Sequence, residues 1–250
     1  MKTVKIVIII TLLSLIISIS KNSYAYGFGV KKNDKNIQPD IGFYKGIIEE
    51  NNGIYVGSND SKKVYLTFDC GYENGYTERI LDTLENHNIH AIFFVTGHYI
   101  DSAKNIVLRM KEDGHLIGNH SNKHKDITKL SETEIKKEVL ELEEKYFKLT
   151  NSNLDPFYRP PEGNFDHKSL SVIKKMGYTT LFWSLAYKDW NHNNSIDYVV
   201  KEVLANIHNG AIILMHTVSE ANAKALEEVI IALQKDGYSF ENVYDLLENI

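Results

Sequence analysis

The sequence has 250 residues, of which 43% are hydrophobic and 24% are charged, as in an ordinary globular protein with one sizeable core. Its formal net charge is −5, so the basic face that nucleic-acid binding needs is not indicated, and nucleic acid is excluded as a partner. Cys70 is the only cysteine, which excludes an internal disulfide.

Residues 1–25 have the three parts of a secretory signal peptide. Lys2 and Lys5 precede an apolar run over 6–19, and Ser23-Tyr24-Ala25 places small residues where a signal peptidase reads. The run is short for a bilayer, and an uncleaved membrane anchor is the alternative. Cleavage would lower Lys+Arg from 28 to 25 against 33 Asp+Glu, a net charge near −8. We therefore expect export, and activity outside the cytoplasmic membrane.

Residues 26–62 are polar and irregular, and we interpret them as an N-terminal extension with little chemistry. Their short apolar patch, Ile41–Tyr44, is expected to pack against the main domain, residues 63–250.

From residue 63 onward, predicted strands and helices alternate. Strands are predicted at 64–68, 91–95, 116–118, 157–159, 180–184 and 211–216, and helices at 77–86, 100–113, 131–149, 166–176, 195–208 and 221–235. The strands are apolar throughout, which is typical of a parallel sheet buried on both faces. Their number and spacing favour an irregular closed α/β barrel over an open sheet. No glycine fingerprint follows the first strand, so a dinucleotide site is not expected.

Side chains that could take part in catalysis or metal binding follow the ends of these strands, where parallel α/β folds place their active sites. Asp69 ends the first strand, although an aspartate that only shapes a turn would look the same. His120 and His124 follow the third strand, and at helical spacing they would share one face. A pair of surface histidines is the alternative to a metal site.

Three further segments add candidates to the same rim. Arg159 lies in a rigid segment that holds three of the four prolines, and it could pair with Asp69. Trp183 and Trp190 flank Asp189 in a pattern that suits a sugar site, although core packing explains Trp183 equally well. His216 ends the most apolar late strand, as either a core histidine or a general acid.

These segments occur in an order that resembles the NodB-homology polysaccharide deacetylases, carbohydrate esterase family 4, over about residues 60–245. The matching motifs are Thr-Phe-Asp-x-Gly from 67, His-Ser-x-x-His from 120, Arg-Pro-Pro-x-Gly from 159, Asp-Trp from 189 and Leu-x-His from 214. The resemblance implies a distorted (β/α)7 barrel and metal-assisted removal of N-acetyl groups from sugar polymers. The cation, zinc, manganese or cobalt, would lie on His120 and His124.

The resemblance also implies roles for the other candidates. Asp69 would act as the base, Arg159 would hold it, His216 would be the acid, and Asp189 would either orient His216 or anchor Arg159. Backbone N–H groups after Pro161 could stabilise the oxyanion. The expected substrate-binding residues are Pro160, Pro161, Gly163, Trp183, Trp190 and Leu214.

One position departs from the family pattern, because Cys70 stands where the family usually has a second aspartate that binds the metal. Cys70 could be a thiolate ligand or a small buried strand-end residue. The longer segments at 69–77, 183–186 and 214–219 resemble the muramate-specific branch. That branch implies deacetylation of N-acetylmuramic acid and muramic δ-lactam formation in the spore cortex. The partner would be a peptidoglycan strand already stripped of stem peptide by an amidase, and no obligate protein partner is expected.

Two other functions remain open from the sequence. The nearer is a deacetylase of N-acetylglucosamine in peptidoglycan or chitin. The more distant is a non-catalytic glycan-binding protein on a decayed barrel, which the presence of Asp69, Arg159 and His216 argues against, because binding alone needs no acid/base pair.

Overall fold

The structure is a computed structural model that describes residues 24–32, 36–191 and 193–249. The predicted signal peptide lies almost entirely outside these ranges. Within them, no helix is both long enough and apolar enough to cross a membrane.

Strands and helices alternate along most of the described chain. The strands are β1 Tyr26–Gly27, β2 Gly53–Ile54, β3 Lys63–Cys70, β4 Ile92–Val95, β5 Leu116–Asn119, β6 Phe157–Tyr158, β7 Asn164–Phe165, β8 Thr179–Leu181, β9 Ala211–His216 and β10 Ser239–Phe240. The α-helices are α1 Tyr44–Glu50, α2 Thr77–Asn86, α3 Gly97–Ser102, α4 Lys104–Glu112, α5 Glu132–Thr150, α6 His167–Lys175, α7 Ile196–Asn206 and α8 Glu220–Lys235. Short 3-10 helices occupy Ile127–Lys129, Pro161–Gly163 and Val243–Asn249.

The main sheet is parallel and curls into a barrel. Its strand order is β9-β3-β4-β5-β6-β8-β2, and β10 pairs with the first two residues of β3. Leu185, beyond the end of β8, forms a parallel bridge with Ile213 of β9, which closes the curl on that side. The predicted distorted (β/α)7 barrel is therefore confirmed.

Side chains of β3 alternate between two apolar layers, as the period of a strand requires. Val64, Leu66, Phe68 and Cys70 belong to the layer between the sheet and the helices. Tyr65 belongs to the layer inside the barrel, and Asp69 has the same parity. The strand therefore delivers the Asp69 carboxylate to the barrel interior at its carboxyl end.

The N-terminal extension is part of this architecture. β1 pairs antiparallel with β7, and β2 adds a parallel strand beside β8. Ile41 is buried, and the ring of Tyr44 lies 5.5 Å from that of Phe165. The apolar patch thus packs against the barrel, as expected from the sequence.

Some predicted boundaries differ from the structure. The helix predicted over 100–113 is two helices, because the backbone at Ala103 leaves helical geometry with φ −125° and ψ 39°. The strand predicted over 180–184 ends at Leu181, and the helix predicted to reach residue 208 ends at Asn206. Ser131 and Glu134 form a capping box at the start of α5.

Candidate active site

The centre of the site is an ion pair between Asp69 and Arg159. Arg159 follows β6, and its Nη1 donates to Asp69 Oδ1 at 2.9 Å and to Thr67 Oγ1 at 2.8 Å. Its Nε and Nη2 donate to the carbonyl oxygens of Leu181 and Phe182. Every side of the guanidinium is thereby held, and Arg159 is fully buried.

The ion pair keeps Asp69 ionised. Burial alone would raise the pKa of Asp69, but the charges of Arg159, His120 and His216 and the hydrogen bond from Arg159 hold it below its usual value. A buried carboxylate that stays charged near neutral pH can accept a proton.

His120 lies beside this carboxylate in a fixed tautomer. Its Nδ1 lies 2.8 Å from the carbonyl oxygen of Arg159, and because a carbonyl only accepts, Nδ1 must carry the hydrogen. Nε2 then faces Asp69 Oδ2 at 3.6 Å as a free lone pair. Burial lowers the pKa of His120 to about 4, despite the opposing charge of Asp69, so the imidazole is neutral at physiological pH.

His124 reaches His120 without a helix. The pair does not lie on a helix, since Ser121 and His124 both have positive φ, 65° and 52°. The tight turn nevertheless brings the two rings to a centroid distance of 4.9 Å. His120 is buried and His124 is exposed, so only one of the two lies on the rim.

Asp189 and His216 form a second charged pair across the pocket. His216 Nδ1 donates to Asp189 Oδ1 at 2.8 Å, and Asp189 Oδ2 accepts from the His216 backbone N–H and from Asn222 Nδ2, both at 2.6 Å. Burial would lower the pKa of His216, but the charge and hydrogen bond of Asp189 raise it above its ordinary value. Of the two roles left open by the sequence, the geometry supports orientation of His216.

A pocket of about 420 Å³ joins the two pairs. Asp69, His120, His124 and His216 form its polar side, and the other lining residues are Phe28, Glu162, Gly163, Trp183, Trp190 and Leu214. Four of the six predicted substrate-binding residues therefore line it.

The other two, Pro160 and Pro161, are buried beside the pocket and do not line it. They shape the turn that places Gly163, whose φ of +69° and tight contact with Trp183 leave no room for a Cβ. The backbone N–H of Gly163 donates to the carbonyl of Pro160, so this predicted oxyanion donor is already engaged.

Cys70 lies on the opposite face of β3 from Asp69. It is fully buried in the layer between sheet and helices, and burial raises the pKa of its thiol well above the usual value. The geometry thus gives no support to Cys70 as a metal ligand, and it corrects that prediction in favour of the core residue.

Phe28 and Glu162 were not identified from the sequence. Phe28 belongs to the extension, for which little chemistry was expected, yet its backbone N–H donates to Gly163 O at 3.0 Å. Its ring meets that of Trp183 edge-on at 5.2 Å. The one sequence signal for the place of Phe28 in the pocket is that it is an aromatic residue within a polar segment.

Two imidazoles in the pocket, those of His120 and His124, could bind a cation. His120 is neutral, and its free Nε2 faces the pocket, as metal ligation requires. Two imidazoles are one ligand short of a typical catalytic zinc site. Within the described ranges, no three His, Cys, Asp or Glu side chains are arranged to hold a metal. The pair therefore fits a divalent cation only if water or substrate completes its coordination.

Comparisons with known proteins agree with this geometry. The polysaccharide deacetylase family model matches residues 57–181. The chain is 40% identical to the peptidoglycan-N-acetylmuramic acid deacetylase PdaA of Bacillus subtilis, over 88% of this chain and 85% of that protein. The solved structure of B. subtilis PdaA, a family 4 carbohydrate esterase, aligns with a TM-score of 0.87 at 39% identity, covering 90% of this chain and 97% of that one.

Two further relatives are similar. A family 4 carbohydrate esterase from Bacillus anthracis aligns with a TM-score of 0.77 at 38% identity, covering 91% of this chain and 98% of that one. The peptidoglycan-N-acetylglucosamine deacetylase PgdA of Listeria monocytogenes is 34% identical over 74% of this chain and 39% of that protein. From the family model and these relatives together, the chain belongs to the polysaccharide deacetylase family.

Proposed function

We propose that this protein removes the N-acetyl group from N-acetylmuramic acid residues of peptidoglycan. The observation that carries the proposal is the pairing, across one pocket, of the Asp69 carboxylate, whose pKa is lowered, with the His216 imidazole, whose pKa is raised. The similarity to PdaA supports muramate as the substrate.

Asp69 is the base in this proposal. It accepts the proton of the attacking water, and Arg159 keeps it charged and fixed in orientation through the 2.9 Å hydrogen bond. A carboxylate already held in place needs little reorganisation in the transition state.

His216 is the acid. Because Nδ1 donates to Asp189, the proton on Nε2 of the imidazolium is the one available to the leaving nitrogen. An amide nitrogen must be protonated before the C–N bond breaks, so hydrolysis needs a donor that is charged near neutral pH. The raised pKa of His216 favours the charged, proton-donating form of the imidazole.

Deacetylases of this family are metal-dependent, and we assign the ligand positions here to His120 and His124. A divalent cation there would polarise the acetyl carbonyl. Imidazole ligands suit zinc, whereas manganese is better suited to carboxylate, carbonyl and water oxygens.

The remaining walls suit an amide-bearing sugar. Trp183, Leu214 and Phe28 offer apolar surface to the acetyl methyl and to the C–H face of the ring. Loss of the acetyl group frees an amine, which can attack the lactyl carboxyl with loss of water to give muramic δ-lactam. We place this chemistry at the cell wall or spore cortex, on strands from which an amidase has removed the stem peptide.

A deacetylase of N-acetylglucosamine is the second candidate, favoured by one feature of the pocket. Among its lining residues in the described chain there is no lysine or arginine, and Glu162 adds an exposed carboxylate. Apart from the imidazole of His216, which serves as the acid, the lactyl carboxylate of muramate therefore finds no side-chain cation among these lining residues.

Acetate release from three defined substrates distinguishes the candidates. We expect release, located by mass spectrometry on muramate, from amidase-treated peptidoglycan strands and none from strands with intact stem peptides. Oligomers of N-acetylglucosamine should be inert. Equal rates on both kinds of strand, or release from the glucosamine oligomers, would overturn the muramate assignment.

A further inference from the structure

Glu138 of α5 is a buried carboxylate that the proposed chemistry does not use. It is 4% exposed, and its neighbours along the helix include the buried residues Ile135, Val139 and Leu142. A carboxylate buried among apolar side chains costs free energy unless polar or charged groups pair with it. The partners of Glu138 therefore indicate what this side chain does in the fold.

Both carboxylate oxygens of Glu138 face the 121–125 turn, which carries His124. The Oε2 atom accepts a hydrogen bond from the backbone N–H of Lys123 at 2.7 Å, and Oε1 lies 3.3 Å from Lys125 Nζ. The backbone carbonyl of Glu138 also accepts the N–H of Asn122 at 3.1 Å. One residue of α5 thus contacts the turn on both sides of His124.

Glu141, three residues further along α5, holds the same 121–125 turn by a side chain. Its Oε2 accepts a hydrogen bond from Asn122 Nδ2 at 2.7 Å. On the other side, the carbonyl of Asn122 accepts the N–H of Gly97 at 3.1 Å, and a Cβ at Gly97 would lie only 1.9 Å from Asn122 Oδ1. Asn122 is thereby fixed between α3 and α5.

The 121–125 turn depends on these contacts for its shape. Ser121 and His124 adopt positive φ, which is unfavourable for residues with a Cβ, and such a backbone persists only where surrounding contacts hold it. Within the part of the chain that the structure describes, no hydrogen bond holds the exposed ring of His124, whereas Nδ1 of His120 is held by the carbonyl of Arg159. The position of the His124 imidazole is therefore set by the backbone of the turn.

We propose that Glu138 and Glu141 are positioning residues, which place the His124 imidazole for a divalent cation by holding the 121–125 turn. The inference rests on the proposed function, because it takes His124 as a ligand of that cation. Groups behind the ligands of a metal site orient those ligands and raise the affinity for the metal. Here the two glutamates act on the backbone that carries the ligand, and neither of them lines the catalytic pocket.

Calorimetric titration of the protein with Zn²⁺ tests the inference. Glu138→Met fills a similar space without an acceptor, and Glu138→Gln keeps an oxygen for the N–H of Lys123. Glu144→Ala is the matched control, because this exposed glutamate of α5 pairs with Lys148 instead of the turn. Thermal unfolding confirms that each variant is folded, and the absorption spectrum of bound Co²⁺ reports the arrangement of the ligands.

We expect Glu138→Met to weaken Zn²⁺ binding about tenfold, as is usual when a group behind a metal ligand is lost, and to change the Co²⁺ spectrum. Glu138→Gln and Glu144→Ala should bind both ions as the wild type does. Added to His124→Ala, Glu138→Met should cause no further loss, because its effect passes through His124. Wild-type affinity in folded Glu138→Met, or an equal further loss in the double variant, would overturn the inference.

Two more variants keep the result decisive. If Glu138→Met does not fold, Glu141→Ala replaces it, because Glu141 is only half-buried and its loss releases Asn122; unchanged Zn²⁺ affinity in that variant would refute the positioning role. If His124→Ala binds Zn²⁺ as the wild type does, the metal assignment of the proposed function fails, and the positioning role fails with it. If His124→Ala weakens binding but neither glutamate variant does, the proposed function stands and only this inference is refuted.

Discussion

Asp189→Asn is the substitution that most directly tests the acid assigned to His216. Asp189 is 1% exposed, and its charge and hydrogen bond are what raise the pKa of His216 above its ordinary value. An asparagine keeps the shape of the side chain but removes the charge. In this variant, burial still lowers the pKa of His216, and the charge of Asp189 no longer opposes that effect.

The size of the effect follows from the geometry. An opposite charge in direct contact changes a pKa by about 1–3, so the pKa of His216 should fall by about that much. Because the acid must be protonated, the alkaline limb of the pH–kcat profile should move toward acid by the same amount. At a pH above both limbs, activity should fall about tenfold for each pH unit by which the limb moves.

The assay is acetate release at saturating substrate across the pH range. Asn222→Ala is the matched control, because it removes the hydrogen bond to Asp189 Oδ2 without changing any charge, and its alkaline limb should stay near that of the wild type. If Asp189→Asn leaves the alkaline limb in place, His216 does not set it, and the acid has been assigned to the wrong residue.

Three further predictions concern the other parts of the site. Asp69→Asn should abolish acetate release while glycan binding persists. It should also lower the free energy of unfolding by about 3–5 kcal/mol, because Arg159 is left buried without its counter-charge. Turnover near the wild-type rate would make Asp69 a turn residue only. His120→Ala and His124→Ala should each weaken binding of added Zn²⁺ in calorimetry, and unchanged affinity in the double variant would exclude both as ligands. Phe28→Leu should keep the fold in thermal unfolding yet raise KM, since a smaller side chain loses contact with the sugar, and an unchanged KM would make Phe28 structural.

Much of the site could be predicted because its residues stand at strand ends. Asp69 and His216 each end a buried apolar strand, and adjacent parallel strands bring such positions to one rim. The outward position of Cys70 could also be predicted from the sequence. Side chains of a strand alternate, so an inward Asp69 implies an outward Cys70.

Other features depend on contacts that no local pattern reports. Phe28 reaches the pocket because β1 pairs with β7, more than 130 residues away along the chain. The break at Ala103 is hidden because alanine is the strongest helix former. The role of Asp189 depended on which of two partners it contacts, and its contact with His216 joins two segments 27 residues apart along the chain.

Because Cys70 is buried, the reactivity of its thiol reports the opening of β3. A buried thiol with a raised pKa does not react with thiol-specific reagents, and this is the only thiol in the sequence. Labelling must therefore await separation of β3 from the helices that cover it. Because Asp69 is the neighbouring residue, the rate of labelling would measure how often the segment that carries the catalytic carboxylate opens under native conditions.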